Sequence, residues 1–211
     1  MMDIYASDEE KGEAIKQWWR ENGLAVVVGV ALGIAAIFGS RYWFSYQDQK
    51  TERAAVLYQQ TLVTLNDDDL QLAQANVAEL QSDFASTPYA VFAAIEMATQ
   101  LANKENLDAA IEQLQWVIDN AELAAQRDMA RSRLARLNID ADQLDTALAI
   151  TESAETVGFA AVFAELQGDI YAAQENEEEA YKAYQSALNS VANNGPRYGL
   201  LQMKRDDVAV Q

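Results

Sequence analysis

Two acidic triplets and four closely spaced arginines are the groups in this 211-residue chain whose types and spacing could carry chemistry. The triplets are Asp67-Asp68-Asp69 and Glu177-Glu178-Glu179; the arginines are Arg127, Arg131, Arg133 and Arg136. Clustered carboxylates can hold a divalent cation or work as an acid and base pair. Neither triplet has the spacing of a calcium loop, with its central Gly and terminal Glu. Both stand where a helix is expected to begin, and there the unpaired amides and the helix dipole favour negative charge. The arginines could gather an anion, but in a chain of net charge -18 they are expected to pair with carboxylates on adjacent helices. The chain has no Cys and no His. That removes thiolate nucleophiles, disulfides, Cys/His zinc sites and His-dependent triads together. The expectation is no catalytic residue, no metal site, no cofactor and no enzymatic activity.

The most informative stretch lies outside those clusters. Gly23 to Ser40 is eighteen residues without a charge, bracketed by Trp18, Trp19 and Arg20 before and Arg41, Tyr42, Trp43 and Phe44 after. A helix from Trp19 to Tyr42 would rise roughly 35 Å, which sets the two aromatic clusters at opposite faces of a hydrocarbon slab roughly 30 Å thick. A buried helix of a soluble core is the alternative. A cleaved signal peptide would need a shorter apolar region, a basic leader and a small-residue cleavage site. Here the leader carries six acids against three bases, so the run is taken as an uncleaved signal anchor. Charge does not orient it: Lys11, Lys16 and Arg20 precede the run, and Arg41, Lys50 and Arg53 follow it. The organisation expected is a leader over 1–22, a transmembrane segment over 23–44 and one soluble domain over 45–211.

Residues 45–211 hold eleven Lys and Arg against twenty-seven Asp and Glu, which excludes nucleic acid and anionic lipid as partners of that domain. Half of all residues are hydrophobic and two are proline, the composition of a packed chain. Its apolar residues recur at three and four, β-branched alternation is sparse, and alanine is dense. Polar breaks fall at Asn66-Asp67-Asp68-Asp69, Ser86-Thr87-Pro88, Asn103-Lys104-Glu105-Asn106, Asn138 to Asp142, Gln174-Glu175-Asn176 and Asn193-Asn194-Gly195-Pro196. Thr87 is expected to cap a helix through its hydroxyl, with Pro88 at the first helical position. About nine helices are expected beyond the membrane segment.

The helices pair into repeats. Gly168, Tyr171, Ala180 and Tyr184 fall at the spacing of the tetratricopeptide pattern G-x2-Y…A-x3-F. Ala110, Ala147 and Ala180 each lie twelve residues after a small residue, at Ala98, Ala135 and Gly168, and they are 37 and 33 residues apart. A degenerate first unit is expected over Thr51 to Asp83. The fold class is therefore all-α: one N-terminal transmembrane helix, then an α-solenoid of about four tetratricopeptide-like hairpins and a C-terminal helix. Gly168 should pack against the second helix of its hairpin, facing Ala180, with Tyr171 and Tyr184 alongside. Since Ala occupies positions 98 and 135, Gly168→Ala should be nearly neutral.

This register places Phe92, Ile95, Thr99, Met129, Ser132, Arg136, Val162, Glu165 and Asp169 on the groove-lining face of each first helix. Those nine are the candidate protein-binding residues. The wall they form mixes apolar and charged groups and lacks the Lys and Asn pairs that clamp a terminal carboxylate. Apolar segments or a partner helix are the expected ligands. In the span, Ala25, Gly29 and Gly33 form one small-residue face, a candidate for helix packing within the membrane.

The order of leader, Trp18-Trp19-Arg20-Glu21-Asn22-Gly23, span, Arg41-Tyr42-Trp43 and degenerate repeats resembles the YfgM family, ancillary subunits of the bacterial SecYEG translocon. The likeness is sharpest at Arg133-Leu134-Ala135-Arg136 within the Ala124 to Leu137 helix and at Glu165-Leu166-Gln167-Gly168-Asp169. The resemblance implies a single-pass inner-membrane protein of a Gram-negative bacterium, with a cytoplasmic amino terminus and periplasmic repeats. It implies as partners the SecYEG translocon, a PpiD-like membrane-anchored periplasmic chaperone and translocating polypeptides. It implies a part in passing newly translocated proteins to periplasmic chaperones. For the leader it suggests contact with a cytoplasmic stress-response regulator. The alternative of another class is a structural scaffold of an inner-membrane envelope complex with no unfolded clients.

Overall fold

The computed structural model describes residues 8–192 and 195–209. The described residues are helical apart from turns and short connections. The helices are α1 (Asp8–Asn66), α2 (Leu70–Asp83), α3 (Pro88–Asn103), α4 (Leu107–Asn120), α5 (Ala124–Asp140), α6 (Leu144–Glu152), α7 (Ala160–Ala173), α8 (Glu177–Asn189) and α9 (Pro196–Ala209), with a 3-10 turn at Val157–Phe159. The chain forms two compact units, Met1–Lys50 and Thr51–Gln211.

In the first unit, the uncharged run lies wholly within α1. Its apolar side chains stand exposed along the helix, with Leu24 at 81%, Leu32 at 65% and Phe38 at 68%. A core helix of a soluble protein would bury them. A helix of this length and composition can cross a bilayer, where such side chains meet lipid and the backbone is satisfied internally.

The second unit is built of four hairpins: the end of α1 from Thr51 shares a core with α2 through Ala54, Leu65, Ala73 and Val77, and α3 pairs with α4, α5 with α6, and α7 with α8; α9 packs on α8. One turn geometry closes all four hairpins. Asp68, Glu105, Asp142 and Glu175 adopt φ of 62°, 59°, 58° and 60°. The next N–H in each case, from Asp69, Asn106, Gln143 and Asn176, donates to the carbonyl of Thr64, Leu101, Asn138 and Tyr171 at 2.9, 2.9, 2.8 and 2.9 Å. This is the Schellman closure of a helix end, with an acidic residue where glycine is commonest. Left-handed backbone costs an L-residue roughly 1–2 kcal/mol, and the helix packing on either side holds it there. The glutamate triplet stands at a helix start as expected, with Glu177, Glu178 and Glu179 in the first turn of α8; of the aspartates only Asp69 does, accepting from Leu72 N at 3.1 Å, while Asp67 and Asp68 close the end of α1.

A fixed turn fixes which residues of two helices meet. Five residues after each left-handed residue stands an alanine with no exposure: Ala73, Ala110, Ala147 and Ala180. Ala73 shows that the first unit obeys the repeat after all. Its small residue twelve positions earlier is Thr61, fully buried, with its hydroxyl satisfied by the Leu57 carbonyl at 2.9 Å. Four residues beyond each alanine come Val77, Leu114, Thr151 and Tyr184, all at most 3% exposed. The largest of these stands opposite the smallest partner: Tyr184 lies on Gly168. Each hairpin core runs into the next, from Ala54, Val77 and Met97 through Ile95, Leu114 and Leu134, as in a solenoid stabilised by neighbour contacts.

Three local expectations change. Thr87 does not cap α3 with its side chain; its hydroxyl donates back to the Phe84 carbonyl at 2.8 Å, and Pro88 alone marks the helix start. The break expected over Asn138 to Asp142 begins later, because α5 runs to Asp140. The connection from Ser153 to Thr156 was not anticipated. Asn193-Asn194 lies outside the described residues, and Gly195 leads into α9.

Candidate protein-binding groove

The first helices of the second, third and fourth hairpins, α3, α5 and α7, carry the nine candidate groove residues on matched faces. They are not equally available. Phe92 is 38% exposed, its ring 6.3 Å from that of Tyr58. Ile95, by contrast, is buried in the cluster with Ala98 and Leu114. Thr99 is half-buried, donating to the Ile95 carbonyl at 2.9 Å and accepting from Arg133 Nη1 at 2.7 Å. Met129 packs partly against the same cluster, and Ser132 is buried, its hydroxyl turned to the Met129 carbonyl. Arg136 is exposed. Val162 is partly buried beside Phe163 and Leu166.

Glu165 and Asp169 are held by α9. Glu165 accepts from Arg197 Nη2 at 2.6 Å and Nε at 3.0 Å, and from Lys204 Nζ at 2.9 Å. Asp169 accepts from Lys204 at 2.7 and 2.9 Å and from the Tyr184 hydroxyl at 2.7 Å. The C-terminal helix thus takes the place that the first helix of a further repeat would occupy. Burial pushes the Glu165 pKa up, but Lys204 and Arg197 together hold it below the usual glutamate value. Burial likewise depresses Lys204, and Asp169 and Glu165 raise it above the usual lysine value.

The arginines of α5 divide into two pairs. Arg127 and Arg131 both bind Glu155, which belongs to the unanticipated connection and not to an adjacent helix. Arg127 Nη1 also donates to the carbonyls of Ala121 and Glu122 at 2.7 and 3.0 Å, tying the start of α5 to the end of α4. Beneath them Asp128, with no exposure, accepts from Thr156 N at 2.8 Å, Thr156 Oγ1 at 2.7 Å, Glu155 N at 3.1 Å and Arg131 Nη1 at 3.0 Å. Arg133 and Arg136 have no carboxylate at ion-pair distance among the described residues, against expectation. They border a cavity of about 170 Å³ with Thr99, Asn103, Leu114 and Leu137. Sequence reasoning missed Asp128, whose signal was faint: an acid among basic residues in the first half of a helix.

Acid should unfold this domain through named groups. The Glu155 pKa is pulled down to about 2 from 4.5, first by hydrogen bonds from Arg127 and Arg131. Burial raises that of Asp128, and the Thr156 hydroxyl, the Glu155 and Thr156 N–H groups and Arg131 bring it below the usual value. Carboxylates whose folded pKa is depressed stabilise the fold above their unfolded pKa, and that contribution is lost as pH falls through the folded one. For Glu155 the window runs from about 4.5 down to about 2. The urea midpoint of the domain should therefore drop between pH 5 and pH 3, and Glu155→Gln should shrink the drop. A variant with the same pH slope as the parent would remove Glu155 from the account.

Comparison with known proteins agrees with the repeat architecture. The profile of the tetratricopeptide repeat-like domain matches residues 16–210. The chain is 30% identical over 192 residues to the ancillary SecYEG translocon subunit of Escherichia coli (strain K12), covering 90% of this chain and 91% of the relative. It is 29% identical to the protein of that name from Haemophilus influenzae, over 87% of this chain and 89% of the relative, and 28% identical to that of Neisseria gonorrhoeae, over 98% and 100%. No solved structure matches significantly. With span, hairpins and C-terminal helix all inside the matched region, the chain belongs to the tetratricopeptide repeat-like family that includes the ancillary SecYEG translocon subunits.

Proposed function

We propose that this protein is a non-enzymatic ancillary subunit of the SecYEG translocon, anchored in the inner membrane by the 23–44 segment. Its leader, 1–22, lies in the cytoplasm and its repeats, 45–211, in the periplasm. There the repeats bind proteins and help pass newly translocated chains to a PpiD-like chaperone. The observation that supports the translocon association is the match, through the span as well as the repeats, to relatives named ancillary SecYEG translocon subunits. The accessible part of the groove, Phe92, Thr99, Met129, Arg136 and Val162, supplies the binding wall.

A photoreactive residue in place of Phe92 should capture secretory chains in transit in intact membranes. Capture of a constant set of subunits alone would favour the scaffold role and overturn client binding. Orientation has its own test: protease added to spheroplasts should remove the repeats, and their full protection would overturn the periplasmic assignment.

The Ala25, Gly29 and Gly33 face is proposed to pack against a membrane partner. Apart from the helix's own backbone and the adjoining residues, no described atom lies within 4 Å of where a Cβ would stand on Gly29 or Gly33. In lipid, close backbone approach is a main source of helix association. Gly29→Leu with Gly33→Leu should reduce recovery of SecYEG from detergent extracts several-fold and leave insertion intact. Unchanged recovery would assign the contact to the repeats.

A further inference from the structure

Seven of the ten Lys and Arg in the second unit are matched to acids among the described residues. Lys104 is paired with Asp68, Arg127 and Arg131 with Glu155, Lys182 with Glu178 and Glu179, Arg197 with Glu165, Lys204 with Glu165 and Asp169, and Arg205 with Asp206. Arg53, Arg133 and Arg136 have no such pair although acids outnumber bases more than twofold over residues 45–211, and of the three only Arg133 and Arg136 share a cavity. They stand side by side on α5, and both face the cavity of about 170 Å³. One Arg133 donor is used by Thr99; a guanidinium has five. Both arginines border this space together with Asn103, Leu114 and Leu137. Arg133 is partly buried and Arg136 exposed beside these apolar walls, and an anion between them would be attracted by both charges. A guanidinium fork fits a carboxylate in two parallel hydrogen bonds.

We propose that this pocket receives the carboxylate of a glutamate or aspartate side chain from a protein segment lying along the groove. This rests on the groove-binding function proposed above and names the chemistry that it selects. The pocket lies between α3, α4 and α5, bordered by Thr99 and Arg136 of the groove wall, so a segment running along that wall offers it a side chain and not its end. The volume suits one short acidic side chain, with flanking aliphatic residues against Phe92 and Met129. Recognition is thus of a carboxylate set in apolar sequence, and a purely apolar segment binds less well.

The test uses the full chain in detergent and a labelled short Leu/Ala peptide with one central Glu, beside the same peptide with Gln, both capped at their ends. Fluorescence anisotropy at low salt should show the Glu peptide binding roughly five- to tenfold more tightly, the scale of one to two charge-assisted hydrogen bonds partly open to solvent. Arg136→Gln and Arg133→Gln should each erase the preference, bringing the affinity of the Glu peptide down to that of the Gln peptide on the same variant. Arg136→Glu should shift preference to a Lys-containing peptide. Equal affinity for Glu and Gln peptides would overturn the carboxylate site and leave groove binding standing. Binding of neither peptide would overturn both. A Glu preference that survives both arginine substitutions would place the carboxylate elsewhere and overturn the assignment to this pocket. Preference for an uncapped, Glu-free peptide would make the ligand a chain end and overturn it as well.

Discussion

Gly168→Ala should lower the melting temperature of the 51–211 unit, although alanine occupies the matched positions in the two preceding repeats. A Cβ built on Gly168 would stand 2.5 Å from Tyr184 Cδ1 and 2.9 Å from Cζ, with Cε1 closer still. The ring cannot retreat. It is 3% exposed, packed with Ala164, Ala187 and Leu188, and its hydroxyl is tied to Asp169 at 2.7 Å. Overpacking of this kind costs typically about 1–3 kcal/mol, against up to about 1 kcal/mol regained from helix propensity. At about 2–4 °C per kcal/mol for a domain of this size, a net cost of up to about 2 kcal/mol is a loss of up to about 8 °C. Ala98 and Ala135 face Leu114 and Thr151 at the position of Tyr184, which is why alanine fits there. Gly168→Ala combined with Tyr184→Leu should therefore be less destabilised than the two single changes summed, the mark of residues in contact. Thermal unfolding by circular dichroism decides it. A Gly168→Ala protein as stable as the parent would mean that the ring yields and that Gly168 is an incidental residue.

Asp128→Ala should do greater damage at a position with no repeat signature at all. The carboxylate is fully buried and gathers two backbone N–H groups, one hydroxyl and one guanidinium. Without it, the N–H groups of Glu155 and Thr156 lose their acceptor, and Arg127, Arg131 and Glu155 lose the floor on which they are arranged. Removing one partner of a buried charged pair costs about 3–5 kcal/mol, because the groups left behind remain desolvated. The connection from Ser153 to Thr156 should then open before the hairpins do, and limited proteolysis should cut it first. Asp128→Asn keeps one acceptor oxygen and turns an NH₂ toward the other donors, so it should fall between parent and alanine variant. An Asp128→Ala protein that melts with the parent and resists protease in this connection would show that the loop is held by other contacts.

The apolar run from Gly23 to Ser40 was legible because composition over eighteen residues is itself the physical requirement for a bilayer helix. The repeat was legible because small residues twelve apart recur where two helices of one hairpin touch, and a short turn makes that contact local in sequence. Thr61 and Ala73 obey the same rule; the degenerate unit expected over Thr51 to Asp83 carries a threonine in place of Ala or Gly, which left its anchor pair unassigned until its burial was seen. Three things were decided by contacts far apart in the chain. Arg127 and Arg131 found Glu155 while Arg133 and Arg136 found no carboxylate, though all four look alike on the helix. Glu165 and Asp169, groove residues by register, are bound by Lys204, 39 and 35 residues later. Tyr184 presses on Gly168 where smaller residues sit in the earlier repeats. Periodicity states which face of a helix is covered, since it follows from 3.6 residues per turn. It does not state which side chain of the next element does the covering, because the match of size and charge is settled only when two distant surfaces pack.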